Sequence, residues 1–247
     1  MNVAWGGRVL PSRARPAVAS RRKYLIGLLV TLLTLAGCAP SEPPPLRVQG
    51  RTMGTQYALV ILQPPRLLES RALKQDVEDI LEAINAQMSH YRADSELSRF
   101  NAAEDTEWRT VSADLANLVS ESLEVSSHSE GAFDVTIGPL VRLWGLGPEP
   151  RETFPSASTI DAALARTGWQ YLESDRLAPK LRTRLGRIEV DLSAIAKGFA
   201  VDRLAHHLED IGVRRYLVDI GGEVRVGGEG PTSERWRIGV VDPQSVL

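Results

Sequence analysis

Residues 190–198 have the sequence Val-Asp-Leu-Ser-Ala-Ile-Ala-Lys-Gly and take the chain from an apolar strand into a helix. Asp191 closes the strand, and small residues follow, so backbone N–H groups face whatever lies at the helix start. A helix N-terminus attracts anions, and Lys197 adds a positive charge that suits a phosphate. Asp191 has a second interpretation, because an acidic residue at this place is often only a helix cap. The stretch predicts a strand-to-helix unit with an anion site at its junction.

Strands and helices in similar number surround this stretch. Aliphatic runs predict strands at residues 56–62, 187–192, 216–220, 223–226 and 236–241. Apolar residues at helical spacing predict helices at about 67–89, 115–131, 158–166 and 199–212. This mixture predicts a single domain of the α+β (mixed α/β) class over residues 50–247, with helices packed on a mixed sheet.

The composition is that of a globular protein. The chain has 247 residues, 43% of them hydrophobic and 24% charged, which excludes wholesale disorder, a collagen-like repeat and a coiled coil. A single cysteine excludes a disulfide framework and a cysteine-rich metal site. Without its first 37 residues the chain carries 23 Lys and Arg against 31 Asp and Glu, a formal charge of −8. Such an acidic body is unsuited to nonspecific nucleic-acid binding, which depends on Lys and Arg neutralising phosphates.

Residues 1–37 have the layout of a secretory signal peptide. Basic residues precede an apolar run at 24–36, which is shorter than the roughly 20 residues that a transmembrane helix needs. The run closes on Leu-Ala-Gly-Cys at 35–38, which resembles the bacterial lipobox, so Cys38 is predicted to carry a lipid. Residues 38–49 contain four prolines and predict a stiff tether that follows the lipidated cysteine.

The lipobox predicts a periplasm-facing lipoprotein of the bacterial cell envelope. The arginine pair at 21–22 fits either twin-arginine export or an ordinary secretory signal. Ala39 follows the cysteine at the position where an aspartate would favour the inner membrane. The sequence therefore leaves both the export route and the choice between inner and outer membrane open.

The histidines and the serine of the opening stretch predict no site. Two histidines are adjacent on a helix and cannot share a metal, and two stand alone as surface or capping residues (His206, His207, His90 and His128). Ser193 has no histidine or lysine partner at an informative spacing, so a serine hydrolase has no support. The sequence also lacks a phosphate loop of the Walker type and a Gly-x-Gly-x-x-Gly motif after a strand.

Four other segments combine polar, aromatic and glycine residues in unusual runs. They are Met-Gly-Thr at 53–55, Ser-His-Tyr-Arg-Ala-Asp-Ser-Glu-Leu-Ser-Arg-Phe-Asn at 89–101, Gly-Ala-Phe-Asp-Val-Thr at 131–136 and Asp-Ile-Gly-Gly-Glu at 219–223. Together with 191–198, they resemble in order and spacing the ApbE-like family of flavin transferases, also known as thiamine-biosynthesis lipoproteins. The resemblance covers about residues 50–243 and includes the lipobox.

The resemblance implies an enzyme that uses Mg²⁺ and FAD to attach FMN to a threonine of a target flavoprotein, with release of AMP. The implied targets are subunits of membrane electron-transport complexes, and no nucleic acid is involved. Position by position, the resemblance implies that the FAD site is lined by Met53, Tyr91, Ala132, Phe133, Asp134, Asp191 and Lys197. The main-chain carbonyl of Ala194 falls where the family supplies a magnesium ligand, and such an oxygen suits this hard cation.

The sequence ends at Leu247, before two motifs of the family, His-x-x-Asp-Pro-x-Thr-Gly and Ala-Asp-Ala-x-x-Thr. The resemblance places a proposed catalytic histidine in the first motif and further magnesium ligands in the second. It therefore implies that the C-terminal third is absent and the catalytic residue is not in this chain, which we expect not to transfer FMN alone. Two alternatives stay open, an FAD pyrophosphatase that yields FMN and AMP and a non-catalytic flavin-binding lipoprotein.

Overall fold

The computed structural model describes residues 43–147, 154–232, 234–240 and 242. Its strands are β1 (Leu46–Thr52), β2 (Thr55–Leu62), β3 (Arg109–Thr110), β4 (Leu172–Asp175), β5 (Lys180–Thr183), β6 (Arg215–Ile220) and β7 (Glu223–Gly227). Its helices are α1 (Ser70–Met88), α2 (Glu96–Asn101), α3 (Ala113–His128), α4 (Gly138–Leu143), α5 (Ala157–Leu164) and α6 (Ala196–Asp210), with a 3-10 turn at Trp169–Tyr171. This mixture confirms the predicted α+β (mixed α/β) fold class.

The strands form two antiparallel sheets. The larger sheet has the order β1-β2-β6-β7, and the smaller one has the order β3-β5-β4. Two-residue turns join β1 to β2 and β6 to β7, which sets the register of both hairpins. The expected mixture of strand directions is confined, among the described residues, to one parallel bridge between Ile137 and Glu189.

Helices α1 and α6 cover one face of the larger sheet and enclose the core. The buried residues of α1 recur at spacings of three and four, as on one side of a helix, and they are Leu73, Val77, Leu81, Ile84 and Met88. Alternate residues of β2 and β6 face them, as the two-residue period of a strand requires, and these are Tyr57, Leu59, Ile61, Tyr216, Val218 and Ile220. Helix α6 completes the layer with Ala200, Val201, Leu204, Ala205 and Leu208.

Two tyrosines of the inner strands lie over glycines of the edge strands. Gly50 of β1 is opposite Tyr57 of β2, and a Cβ added to Gly50 would lie 2.5 Å from the tyrosine ring. Gly227 of β7 is opposite Tyr216 of β6, and a Cβ there would lie closer still to that ring. Only glycine therefore leaves room for each ring where it stands.

The same tyrosines connect the sheet to the packed helices. The Tyr57 hydroxyl donates to Glu78 of α1 at 3.3 Å, and the Tyr216 hydroxyl donates to Glu209 of α6. Burial and the neighbouring carboxylate raise the pKa of each phenol, Tyr57 and Tyr216, to about 12. Each inner strand is thus fixed at once to an edge strand and to a helix.

The predicted strand at 187–192 is wrong. Its apolar residues Ile188, Val190 and Leu192 are buried, but its backbone makes no ladder with a named strand. The side chain of Asn101 bonds both the N–H and the carbonyl of Val190 instead, and the Asp191 N–H donates to Val135. Side-chain and loop partners therefore satisfy the groups that a second strand would have paired.

Other boundaries also differ from the sequence-based expectation. Residues 46–49, expected to belong to the tether, are the first half of β1, and residues 236–240 are not in a strand. The polar run at 89–101 contains α2, and the run at 131–140 leads into α4. The predicted signal peptide and Cys38 lie outside the described residues. Among the residues that the structure does describe, no helix is long and apolar enough to cross a membrane.

Candidate functional site

A cavity opens where the β1–β2 turn, the end of α1 and the start of α6 meet. Its volume is about 180 Å³. Apolar side chains come from the turn and from α1. Polar groups come mainly from the loop after α1, from the loop before α6 and from α6 itself. The lining residues are Met53, Ile84, Asn85, Met88, Ser89, His90, Tyr91, Ser193, Ala196 and Lys197. The structure thus brings together three of the residues expected at the FAD site, Met53, Tyr91 and Lys197.

Met53 is held at this cavity by a left-handed backbone conformation. Its φ is 47° and that of Gly54 is 73°, values that fit the tight hairpin turn of type I′. Asn, Asp or Gly normally occupies such positions, because other residues pay a steric cost there. The hydroxyl oxygen of Thr52 accepts a hydrogen bond from Asn85 of α1 at 3.1 Å, which ties the turn to the helix. Strain at a non-glycine residue in a turn is a frequent property of binding sites.

Hydrogen bonds from α2 fix the turn that carries Tyr91. The Ser89 carbonyl accepts from the hydroxyls of Ser95 at 2.5 Å and Ser98 at 3.3 Å, and the Tyr91 N–H donates to Ser89 Oγ at 3.2 Å. The Tyr91 side chain is 60% exposed, and its hydroxyl lies 3.4 Å from the carbonyl of Leu146. An exposed ring on a fixed turn beside a cavity is suited to border a flat ligand ring.

Lys197, in the first turn of α6, is paired with a carboxylate. Its Nζ lies 2.7 and 2.9 Å from the two oxygens of Glu223 at the start of β7. The Lys197 side chain is 30% exposed, and an ammonium has three donor hydrogens, so one remains for a ligand. No side chain caps the start of α6, whose N-cap is Ile195, so its first N–H groups also stay free of a side-chain acceptor at that position.

Asp191 lies at a second cavity, of about 110 Å³, which His90 also lines. Its carboxylate accepts a hydrogen bond from the Ser193 N–H at 2.8 Å and is only 7% exposed. The alternative interpretation of Asp191 as the helix cap is wrong, because the N-cap of α6 is Ile195. An ion pair between Arg142 of α4 and Glu189 forms part of the same cavity.

The run from Ala132 to Asp134 lines neither of these two cavities. The Oδ1 atom of Asp134 accepts from the N–H and the hydroxyl of Thr136, both at 2.7 Å, and Oδ2 accepts from the Trp169 N–H at 3.1 Å. Phe133 is half-buried against the core. Asp134 therefore organises its own loop, and the FAD contact that the resemblance implies for Ala132, Phe133 and Asp134 stays a prediction.

His90 is a residue of this region that the sequence did not predict. It lines both cavities, and its side chain is only 15% exposed. The spacing of the four histidines gave no signal, because the partners of His90 are on another element, about 100 residues away in the chain. Its position directly after the helix and inside the Ser-x-Tyr segment was the only available indication.

Ala194 does not by itself make a magnesium site. It is exposed in the turn before α6. Within the described ranges, no three His, Cys, Asp or Glu side chains come together as metal ligands. Magnesium needs a near-octahedral shell of oxygens that usually includes carboxylates. The described residues therefore do not fit the ion alone, and we assign no step to it.

The amino-acid sequence matches the family model described as "ApbE family" over residues 53–247.

The chain belongs to the ApbE family.

Curated relatives carry the name FAD:protein FMN transferase. The protein from Vibrio cholerae is 41% identical over 224 residues, which cover 90% of this chain and 66% of that protein. The protein from Haemophilus influenzae is 38% identical over 231 residues, with the same two coverages, 90% and 66%. The chain thus spans about 66% of the length of these curated relatives.

Solved structures of ApbE proteins have the same fold. The flavin transferase ApbE from Vibrio cholerae matches with a TM-score of 0.76 at 40% identity, over 81% of this chain and 65% of that one. The apo form of the Pseudomonas stutzeri flavinyl transferase ApbE matches with a TM-score of 0.76 at 35% identity, over 82% and 67% of the two chains. These matches confirm the ApbE-like fold expected from the sequence.

Proposed function

We propose that this chain supplies the FAD-binding cavity of an FAD:protein FMN transferase. The observation that carries the proposal is the meeting of Met53, Tyr91 and Lys197 at one cavity, in a chain of the ApbE family. These residues combine an apolar wall, an exposed ring and a cation, which match a flat ring joined to a phosphate. The names of the curated relatives support the same activity.

In the proposed reaction the hydroxyl oxygen of a target threonine attacks the FMN phosphorus of FAD. The bond from that phosphorus to the bridging oxygen of the pyrophosphate breaks, and AMP leaves with this oxygen. The proton of the threonine passes to a base or to water, so atoms and charge balance. Lys197 contributes a hydrogen bond from its remaining N–H to the pyrophosphate, whose negative charge must be offset during transfer.

The proposal extends to the place and the partners of the protein. The lipobox at 35–38 supports a lipid anchor on Cys38, with the body facing the periplasm. The flavin acceptors would be subunits of membrane electron-transport complexes, as the family resemblance implies. Magnesium belongs to the proposal on the resemblance alone.

Co-expression with a candidate flavin-carrying subunit tests the activity. Fluorescence of that subunit on a denaturing gel, with AMP among the products, supports transfer, and its loss in a chelator shows the need for a divalent cation. Free FMN and AMP without labelled protein support a pyrophosphatase instead. Bound but unchanged FAD fits either a non-catalytic flavin-binding protein or the expectation that this chain does not transfer FMN alone. A folded chain that binds no FAD contradicts the proposal.

A further inference from the structure

The larger sheet has two ends, and the candidate site lies at only one of them. Strand β1 begins at Leu46 and runs for seven residues, or about 20 Å, to the turn that carries Met53. Strand β2 returns to the first end through its antiparallel pairing with β1. The hydrogen bond from Asn85 to Thr52 puts the last turns of α1 beside the site. The first turn of α1, from Ser70, therefore lies at the other end, where β1 begins.

A cluster of exposed side chains, here called the basic corner, occupies this other end. It consists of Arg47 on β1, Arg66 and Leu67 in the loop from β2 to α1, and Arg71 in the first turn of α1. All four side chains are exposed, Leu67 to 94%. Among the residues that the structure describes, no ion pair joins any of the three arginines to a carboxylate. A lone exposed leucine is ordinary, but its combination with unpaired cations is typical of surfaces that lie on a membrane.

The charge of the basic corner is opposite to that of the body as a whole. Residues 43–75 contain five Lys and Arg and one acidic residue, Glu69, whereas residues 38–247 together carry a formal charge of −8. The adjacent start of β6 adds Arg214 and Arg215, which donate to backbone carbonyls, near the exposed Asp210 at the end of α6. Such an asymmetry attracts a negatively charged surface to this end of the molecule and repels it elsewhere.

The covalent chain brings the same end of the body close to the proposed lipid. Seven residues separate Cys38 from Leu46, the first residue of β1. A fully extended chain spans at most about 3.6 Å per residue, so Leu46 lies within roughly 29 Å of the lipidated cysteine. A tether of this length keeps the basic corner at a high effective concentration of headgroups, so that individually weak contacts suffice.

We propose that the basic corner rests on the anionic phospholipid headgroups of the membrane that holds the lipid anchor. This inference rests on the proposed lipidation of Cys38 and not on the proposed transfer reaction. The arginines contact phosphates, and Leu67 enters the boundary between headgroups and acyl chains. The cavity at Met53 then opens away from the bilayer, up to about 20 Å above its surface. An acceptor protein has to present its threonine at that height.

Fluorescent labels at two positions test the contact. Cys38 is the only cysteine of the chain, so Leu67→Cys and the control Leu177→Cys, which alters a leucine that is 99% exposed in the β4–β5 turn, each add one free thiol. The full chain, processed in the cell and then labelled, is reconstituted in phosphatidylglycerol vesicles that contain a lipid-borne quencher. The label at position 67 should be quenched at least about threefold more than the label at position 177.

The other outcomes of this experiment separate the proposals. Equal quenching at both positions of a vesicle-bound protein overturns the inference but leaves the anchor and the proposed function intact. Quenching at position 67 in cell membranes but not in pure lipid vesicles assigns the corner to a membrane protein and also overturns it. A wild-type chain that does not stay with the vesicles removes the anchor and the inference together, while the transfer reaction keeps its own test.

Charge reversal tests the electrostatic part of the contact. Arg66→Glu combined with Arg71→Glu should lower the quenching at position 67 to that at position 177, without releasing the protein. About 1 M salt, which shortens the screening length to about 3 Å, should have the same effect. The matched control is Arg166→Glu with Arg187→Glu, an equal change of charge at two exposed arginines after α5 and β5, which should leave the quenching unchanged. Undiminished quenching in the Arg66 and Arg71 variant overturns the inference.

Discussion

The side-chain amide of Asn101 takes the place of a neighbouring strand for Val190. Its Nδ2 donates to the Val190 carbonyl at 2.8 Å, and its Oδ1 accepts from the Val190 N–H at 2.8 Å. The two residues are 89 positions apart in the chain, and Val190 is fully buried. One residue at the end of α2 therefore positions the segment that carries Asp191 to the second cavity.

Asn101→Ala should lower the free energy of unfolding by about 2–4 kcal/mol, because two buried backbone groups lose their partner. Urea unfolding measures the loss. Asn117→Ala is the control, since its amide accepts from an exposed arginine, Arg176, and should cost less than about 0.5 kcal/mol. Equal losses in both variants would show that the Asn101 amide does not support the buried segment.

Lys197→Ala should weaken FAD binding roughly ten- to a hundredfold, since a charge-assisted hydrogen bond to phosphate is worth roughly 1.5–3 kcal/mol. Unfolding should change little, because a partly exposed ion pair with Glu223 contributes at most about 1 kcal/mol. Fluorescence titration and urea unfolding check both parts. Arg203→Ala on the same helix removes an exposed pair with Asp114 and should leave FAD affinity unchanged. Unchanged affinity in Lys197→Ala would remove the residue from the site.

Met53→Gly and Met53→Ala separate backbone strain from side-chain contact. Both should weaken FAD binding about fivefold through loss of the apolar wall. Glycine also relieves the positive φ, a conformation that costs other residues about 1–2 kcal/mol, so Met53→Gly should be the more stable of the two. Urea midpoints decide the order of stability. A more stable alanine variant would show that the turn stores no strain.

The stability contributed by Tyr216 should depend on pH. Its pKa is raised from 10 to about 12 in the folded protein by burial and by Glu209. Because the folded value exceeds the unfolded one, this contribution is complete below pH 10 and is lost as the pH rises from 10 to about 12. Tyrosinate absorbance should show one late-ionising phenol fewer in Tyr216→Phe. Tyr171→Phe, at an exposed position, serves as the control; an unchanged late phase in Tyr216→Phe contradicts the assignment.

Cys38→Ser should release the protein from membranes, because one lipidated cysteine is the anchor predicted from the sequence. Membrane fractions washed with salt and carbonate provide the measurement. Ser41→Ala, a neighbouring change that keeps the cysteine, should remain in the membrane fraction. Retention of Cys38→Ser after the same wash would refute the lipoprotein proposal.

Long apolar periodicity made the central elements predictable. The stripe of α1 was expected over 67–89 and extends from Ser70 to Met88, and the strand expected at 56–62 is β2, Thr55–Leu62. Strands β4 and β5 could not be predicted in the same way, because they have four residues each and only one buried apolar residue each, Leu172 and Leu181. Their pairing depends on tertiary contacts that local sequence does not encode.

The sequence motifs predicted which single residues belong to the site, but not the contacts between residues of different elements. The family motifs gave Met53, Tyr91 and Lys197, which the structure brings to one cavity. They gave no indication that Glu223 pairs with Lys197 or that His90 lines two cavities, because each depends on residues distant in the chain. An isolated histidine has no informative spacing, so only the fold could assign it.

The pairing of each edge glycine with an inner tyrosine has a consequence for how this sequence can diverge. A side chain at Gly50 has no space unless the ring of Tyr57 is replaced by something smaller, and Gly227 depends on Tyr216 in the same way. Each pair therefore has to change as a unit, through simultaneous or compensating substitutions. Among homologues we expect correlated variation at these two pairs, and mutational libraries of the sheet should randomise each pair jointly.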